Sequence, residues 1–270
     1  MSGSRTSPAD PQYRNWTWRV LQFLMQNFFT FWLGYRVRGL ERLPPGGALF
    51  LINHQSFLDP LFAAAGLHRP VSYLARDNLF RVPVIGSILR ATYVMPIRRE
   101  AAGTESMRLS IERCRQGYYV GLFPEGTRTR DGSIGVFKPG FLAIARRAGV
   151  PVIPIGISGA FESYPRNVLF PRPGRIRVVY GEPISVETID SFSRERQDDL
   201  VALIRDRIVA CHAEAEAWRL GHELEREASS SPAAAPAEVP SRVALPTPAV
   251  NGNGNGHHGP VSNDTPTAAH

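Results

Sequence analysis

His54 and Asp59 stand five positions apart in the stretch NHQSFLDP, Asn53 to Pro60, directly after the apolar run ALFLI. A neutral imidazole can take a proton from a hydroxyl near physiological pH. A carboxylate bonded to its other nitrogen fixes the tautomer and stabilises the imidazolium that forms. Five positions across a strand-to-helix turn let the two side chains fold back on each other. The same letters also fit an aspartate capping the next helix ahead of Pro60 beside a buried histidine, and alone they favour that plainer reading. Ser56, inside the stretch, lacks the G-x-S-x-G elbow that exposes a nucleophilic serine.

A second polar stretch, LFPEGTRTRDG, runs from Leu122 to Gly132. Gly126 permits close backbone approach, Thr127 offers a hydroxyl, and Arg128 presents a fork that matches phosphate oxygens. Glu125 would repel a phosphate, so its expected part is to orient Arg128 or to accept from a substrate hydroxyl. Of the 31 basic residues only Lys138 is a lysine. In so arginine-rich a chain, a lone lysine suits a place where a compact point charge is wanted and a planar fork does not fit.

Taken together, NHQSFLD, YVMPIRR, LFPEGTR and VPVIPIGI resemble, in order, the four sequence blocks of the glycerolipid acyltransferases, most closely the 1-acyl-sn-glycerol-3-phosphate acyltransferases. The resemblance covers about Gly39 to Pro183. It implies transfer of an acyl group from acyl-CoA or acyl-carrier protein to a glycerolipid hydroxyl at a membrane surface, with no metal and no other cofactor. By position, it makes His54 the general base and Asp59 its orienting partner. It assigns Glu125, Gly126, Thr127 and Arg128 to the acceptor phosphate, Arg99 to the acceptor as well, and Pro154 to the acyl-donor side. Lys138, in the FK that the family often carries, is expected to support the phosphate site.

Two departures stand in the second block. Tyr93 occupies its usual glycine position, and Arg98 replaces the usual Asp or Asn, which leaves open whether Arg98 or Arg99 meets the phosphate. Lysophosphatidic acid is the expected acceptor and phosphatidic acid the product. Another lysophospholipid, a glycolipid or a lyso-ornithine lipid is the alternative within the class, and a non-catalytic membrane-binding protein of the same fold is the rival outside it.

The elements that must position these residues alternate. ALFLIN, VSYLAR, TYVMPI, YYVGLFP, VPVIPIGI and RIRVVYGEPI read as strands, with a short strand in YRVRGLERLPPGG. DPLFAAAGL, PVIGSILRA, Thr104–Gln116, GFLAIARRAG and Leu200–Leu220 read as helices. This order predicts an α/β fold: a single domain with a mostly parallel or mixed central sheet flanked by helices, in which sites gather where strands end. The expected organisation is a disordered 1–12, an apolar membrane-interface helix over 13–35, an acyltransferase domain over 36–227, and a disordered tail over 228–270. The tail is rich in Pro, Ala, Gly and Asn and holds no aromatic residue, too little apolar surface to offset its ordering entropy.

Between Tyr13 and Tyr35 the chain is apolar over most of a helical circumference, with Arg19, Gln22, Gln26 and Thr30 forming one narrow polar stripe. Those interruptions make a poor spanning helix, which needs about 20 mainly apolar residues. Trp16, Trp18 and Trp32 suit headgroup depth, so the helix is expected to lie in the interface. The competing expectation is that its apolar face packs on the enzyme's own core.

Residues 1–181 carry 24 basic against 10 acidic side chains, whereas 182–227 carry 6 against 12. A basic body favours anionic partners such as phosphorylated metabolites or acidic membranes. Charge is the only feature shared with nucleic-acid binders, and none is expected as a partner. Cys114 and Cys211 form no CxxC pattern, consistent with a reducing compartment. The expected location is the cytoplasmic face of the membrane, peripheral or monotopic. His68, His212 and His222 have no matched partner nearby in sequence and read as structural or surface groups.

Overall fold

A computed structural model describes residues 16–97, 103–166 and 168–221; the ends expected to be disordered, and the second-block residues Arg98 and Arg99, lie outside the described residues. The chain opens with helix α1 (Trp16–Leu33), strands β1 (Arg36–Arg38) and β2 (Ala48–Ile52), and helix α2 (Asp59–Ala65). Then come β3 (Val71–Ser72), β4 (Leu74–Arg76), α3 (Pro83–Ala91), β5 (Met95–Ile97), α4 (Thr104–Arg115) and β6 (Tyr119–Leu122). The last elements are α5 (Gly140–Ala148), β7 (Val152–Ser158), α6 (Ala160–Ser163), β8 (Arg177–Tyr180), α7 (Val186–Asp190) and α8 (Gln197–Leu220).

The main sheet has the order β1-β8-β7-β2-β6-β3, with every neighbouring pair parallel except β7 and β8. Helices cover both faces of such a sheet, and that is why ALFLI and VIPIGIS are apolar without alternation. Alternate residues of β2 enter opposite cores. Phe50 and Ile52 join Phe29 and Leu33 of α1 and Phe62 of α2. Leu49 and Leu51 join Leu142 of α5 and Ile204 and Ile208 of α8.

The structure divides the single strand expected over VSYLAR. β3 pairs with β6, but the Tyr73 carbonyl accepts from the Met95 N–H at 2.7 Å, and β4 continues with β5 as a separate two-stranded sheet. Helices α6 and α7 have no counterpart in the sequence pattern, because one or two turns are too short to show a period. Tyr93 follows α3 with φ 63°, the left-handed region, where a side chain costs about 1 kcal/mol and glycine costs nothing. This backbone angle is the physical reason for a glycine at that position, and Tyr93 keeps a ring contact with Tyr118 at 5.9 Å.

Helix α1 sits in an orientation its pattern did not announce. The middle of the polar stripe turns inward while Arg19 and Thr30 at its ends stay exposed: Gln22 and Gln26 side chains donate to the carbonyls of Leu67 and Ala65 just beyond and at the end of α2, at 2.6 and 2.5 Å. These bonds occupy carbonyls that a helix C-terminus leaves without partners. Trp18, Phe29 and Leu33 are buried beside that stripe, whereas Trp16, Phe23, Leu24 and Phe31 are exposed, Phe31 at 85%. Part of the apolar face packs on the core and the larger part faces outward. No described helix is long and apolar enough to cross a membrane.

Candidate active site

Parallel pairing of β2 with β6 puts Leu51 opposite Leu122, so the chain positions three residues further on, His54 and Glu125, leave the sheet at the same level. Both polar stretches therefore emerge side by side from the carboxyl ends of two central strands. Asn53 makes the exit sharp. Its side-chain amide donates to the Ile157 carbonyl at 2.9 Å and accepts from the Ile157 N–H at 2.7 Å, replacing the ladder that the backbone has left. With Asn53 pinned, His54 is the first residue free to turn toward solvent.

The His54–Asp59 pair forms. His54 Nδ1 lies 2.8 Å from Asp59 Oδ2, which also accepts from the backbone N–H groups of Gln55 and Ser56 at 2.6 Å each. An ionised carboxylate only accepts, so the imidazole carries its proton on Nδ1 and presents Nε2 as a base. No described residue bonds Nε2, and the His54 side chain is 18% exposed while that of Asp59 is fully buried. Phe123 stacks on the imidazole, ring centroids 4.0 Å apart, and holds its plane. Burial pushes the Asp59 carboxyl up, against the pull of His54 and of the Ser56 and Gln55 N–H groups. Ser56 is buried, and its hydroxyl donates to the Tyr164 carbonyl at 3.1 Å, a structural tie.

Glu125 does something other than expected. Its Oε1 accepts from the His54 backbone N–H at 2.8 Å and its Oε2 from the Gly135 N–H at 3.0 Å, so neither oxygen orients Arg128. The carboxylate is a buckle that joins the end of β2 to the loop after β6, and the Thr129 N–H donating to the His54 carbonyl at 2.8 Å closes the other side. Burial raises the Glu125 carboxyl, and the two N–H donors oppose that rise. Glu125→Gln retains one acceptor and turns an amide donor toward the second N–H. The expected cost is about 1–3 kcal/mol in denaturant unfolding, with a fall in turnover as the His54 backbone loses its anchor; unchanged stability would contradict the buckle.

Beside the pair, the loop walls an open cleft of about 340 Å³ with Thr127, Arg128, Arg130 and Arg166 among its lining residues. The Arg128 guanidinium has no carboxylate partner among the described residues. Thr129, Asp131 and Ser133 hold the far side of the loop in a tight hydrogen-bonded turn, which brings the exposed Asp131 carboxyl down to about 2. A histidine base with one nitrogen pinned, its backbone N–H held by the Glu125 that also lines the arginine-bearing cleft, can deprotonate a hydroxyl on a molecule that carries an anionic group.

The family model described as Acyltransferase matches residues 34–158, a span that holds both polar stretches. Over 178 residues the chain is 33% identical to the 1-acyl-sn-glycerol-3-phosphate acyltransferase of Pseudomonas aeruginosa, covering 62% of this chain and 68% of that protein. The chain belongs to the 1-acyl-sn-glycerol-3-phosphate acyltransferase family. A chloroplast member from Brassica napus is 32% identical over 171 residues, 61% of this chain and 49% of that protein, so the match spans about half the length of that relative. The crystal structure of the 1-acyl-sn-glycerophosphate acyltransferase from Thermotoga maritima superposes with a TM-score of 0.61 at 26% identity, covering 74% of this chain and 81% of that one.

Within this acyltransferase scaffold the other expected site residues fall in different places. Gly126 has φ 69°, and a Cβ there would come 3.0 Å from Lys138 Nζ, so the lysine ammonium lies against the glycine of the EGTR loop. The Lys138 N–H also bonds the Pro124 carbonyl at 2.9 Å. Pro154 is buried in β7, where a Cβ on Gly181 would come 2.9 Å from its ring, and it is not among the residues lining the cleft. Pro154 thus takes a packing place in the sheet.

Two contributors escape a reading of the sequence. Arg166 donates to Thr127 Oγ1 at 3.3 Å and to the Arg128 carbonyl, although it lies 38 residues from Arg128 in an unpatterned loop. His212, partnerless along the chain, meets Gln55 Nε2 at 3.0 Å, and the same amide group donates to the Gly132 carbonyl at 3.1 Å. Burial lowers the His212 pKa, which favours the neutral ring that accepts this bond. No local signal marks either residue, since both partners are supplied by the fold.

Proposed function

We propose that this enzyme transfers a fatty acyl chain from acyl-CoA or acyl-carrier protein to the free hydroxyl of lysophosphatidic acid, giving phosphatidic acid, at the cytoplasmic face of a membrane. The observation that supports it most is the pinned His54–Asp59 pair beside an arginine-walled cleft. His54 Nε2 takes the acceptor hydroxyl proton as the oxygen attacks the thioester carbonyl. The tetrahedral intermediate collapses, the carbon–sulfur bond breaks, and the leaving thiolate receives the proton from Nε2. Asp59 stabilises the imidazolium between these two transfers. The donor is itself a substrate, and these steps use no metal or other cofactor.

Arg128, supported by Arg166, Thr127 and Lys138, is assigned to the acceptor phosphate. The exposed aromatic face of α1 is assigned to the lipid surface, where tryptophan and phenylalanine are favoured at headgroup depth. Transfer of labelled acyl chain to a panel of lyso-lipids tests the reading. Lysophosphatidic acid is expected to be preferred over lysophosphatidylcholine, a glycolipid and a lyso-ornithine lipid. Arg128→Gln and Arg166→Gln should each raise the KM for lysophosphatidic acid about ten-fold or more, the scale of one charge-assisted hydrogen bond, with kcat changed less. Preference for an acceptor without a phosphate monoester would overturn the substrate and keep the chemistry.

A further inference from the structure

The segment Val168–Arg175, between α6 and β8, takes no part in the proposed chemistry. Leu169 is 97% exposed and Phe170 59%. Yet the segment is held in place. The Phe170 ring meets Phe28 and Trp32 of α1 edge-on at 6.0 Å each, and the Trp32 indole N–H donates to the Pro171 carbonyl at 2.9 Å. The Arg172 N–H adds a bond to the Ser163 carbonyl at 2.8 Å. A tethered segment that holds an apolar tip in water gains nothing from water for doing so.

Its charge points to the occupant. Arg172 and Arg175 are exposed on its C-terminal side, and no acidic residue occurs from Pro165 to Tyr180. The apolar tip is continuous with the outward aromatic face of α1. We propose that Val168–Arg175 is a second lipid-docking element, seating Leu169 and Phe170 in the interface of an anionic bilayer while Arg172 and Arg175 meet lipid phosphates. This rests on the membrane reading of α1 and extends it to a separate part of the chain. The segment begins two residues after Arg166, which reaches the Thr127–Arg128 edge of the cleft. Seating the loop therefore brings the acceptor phosphate site to the bilayer surface, where a lyso-lipid headgroup is presented.

The test labels Leu169→Cys with an environment-sensitive fluorophore in the full chain, where the native thiols Cys114 and Cys211 are both buried. Vesicles of phosphatidylcholine and phosphatidylglycerol in equal parts should shift the emission to the blue, and high salt or pure phosphatidylcholine should weaken that shift. A Leu169→Ser, Phe170→Ser double variant, with its melting temperature measured alongside, should co-sediment about ten-fold less with those vesicles, given two apolar side chains withdrawn from lipid. No emission shift, with co-sedimentation unchanged in the double variant, overturns the proposal even if α1 binds. A shift that requires acyl-carrier protein or a second copy of the chain instead of vesicles overturns it too. Labelled chain carrying His54→Ala should show the same shift, which separates docking from the proposed catalysis.

Discussion

Under the proposed function, acyl transfer to lysophosphatidic acid is expected to fall about a thousand-fold or more in His54→Ala, because the proton on the attacking hydroxyl then has no positioned acceptor. Steady-state rates at saturating donor and acceptor check this, with circular dichroism confirming the fold. A sharper companion is Asp59→Asn. Asp59 Oδ2 collects the His54 Nδ1, Gln55 N–H and Ser56 N–H contacts, while Oδ1 has no hydrogen-bond partner. An asparagine can place its oxygen at Oδ2 and its amide group at the unpartnered position, so the geometry survives and the charge alone is removed. Turnover is expected to fall about a hundred-fold or more, the imidazolium having lost its counter-charge.

Stability should move the other way. Burial makes the folded Asp59 carboxyl hold its proton more tightly than the unfolded one. Its contribution to stability is therefore full at low pH and is lost as pH rises through its folded pKa. Asparagine does not titrate, so in thermal melts the variant should gain on the wild type as pH increases. Retained turnover in both variants would remove the pair from the mechanism.

Gly156→Ala should destabilise the fold by about 3 kcal/mol, close to the upper end for a single overpacking change. A Cβ at Gly156 would stand 2.2 Å from the His212 backbone nitrogen and 2.3 Å from the Cys211 carbonyl carbon. Both obstacles are main chain of the long helix α8, set against the central strand β7, so no rotamer change relieves the clash. α8 must lift from the sheet, and Ile204, Ile208 and Ala215, all buried on α8, lose contact with it. The lift also draws His212 away from Gln55, next to His54, so turnover should drop beyond the loss of folded protein. A fall in melting temperature of about 10 °C is expected for a domain of this size. Gly140→Ala, whose Cβ would meet nothing within 4 Å at the start of α5, is the control and should stay within about 0.5 kcal/mol.

Much of this molecule is local and legible in the chain itself. The strands ALFLI and VIPIGIS, the ends of α2 at Pro60 and Gly66, and the His54–Asp59 spacing all follow from neighbours a few residues apart. The α/β class with a mixed sheet follows from the alternation of such elements. Register is different in kind, because it compares residues that the sequence keeps far apart. Glu125 sits 71 positions from the His54 N–H it holds, and its charge alone suggests a substrate contact where the fold makes a buckle. Arg166 and His212 reach their partners at the site across 38 and 157 positions.

The inward turn of Gln22 and Gln26 on α1 is likewise closed to a reading of the pattern. A periodic pattern identifies the faces of a helix but not which one meets the protein, and here the carbonyls at the end of α2 hold Gln22 and Gln26 inward. The sequence by itself determined most of the longer elements and the His54–Asp59 spacing, since these depend on neighbours along the chain. Only the tertiary structure decided which backbone groups hold that pair in place, and which apolar face of α1 was left exposed, because both depend on hydrogen-bond partners that only the folded chain brings together.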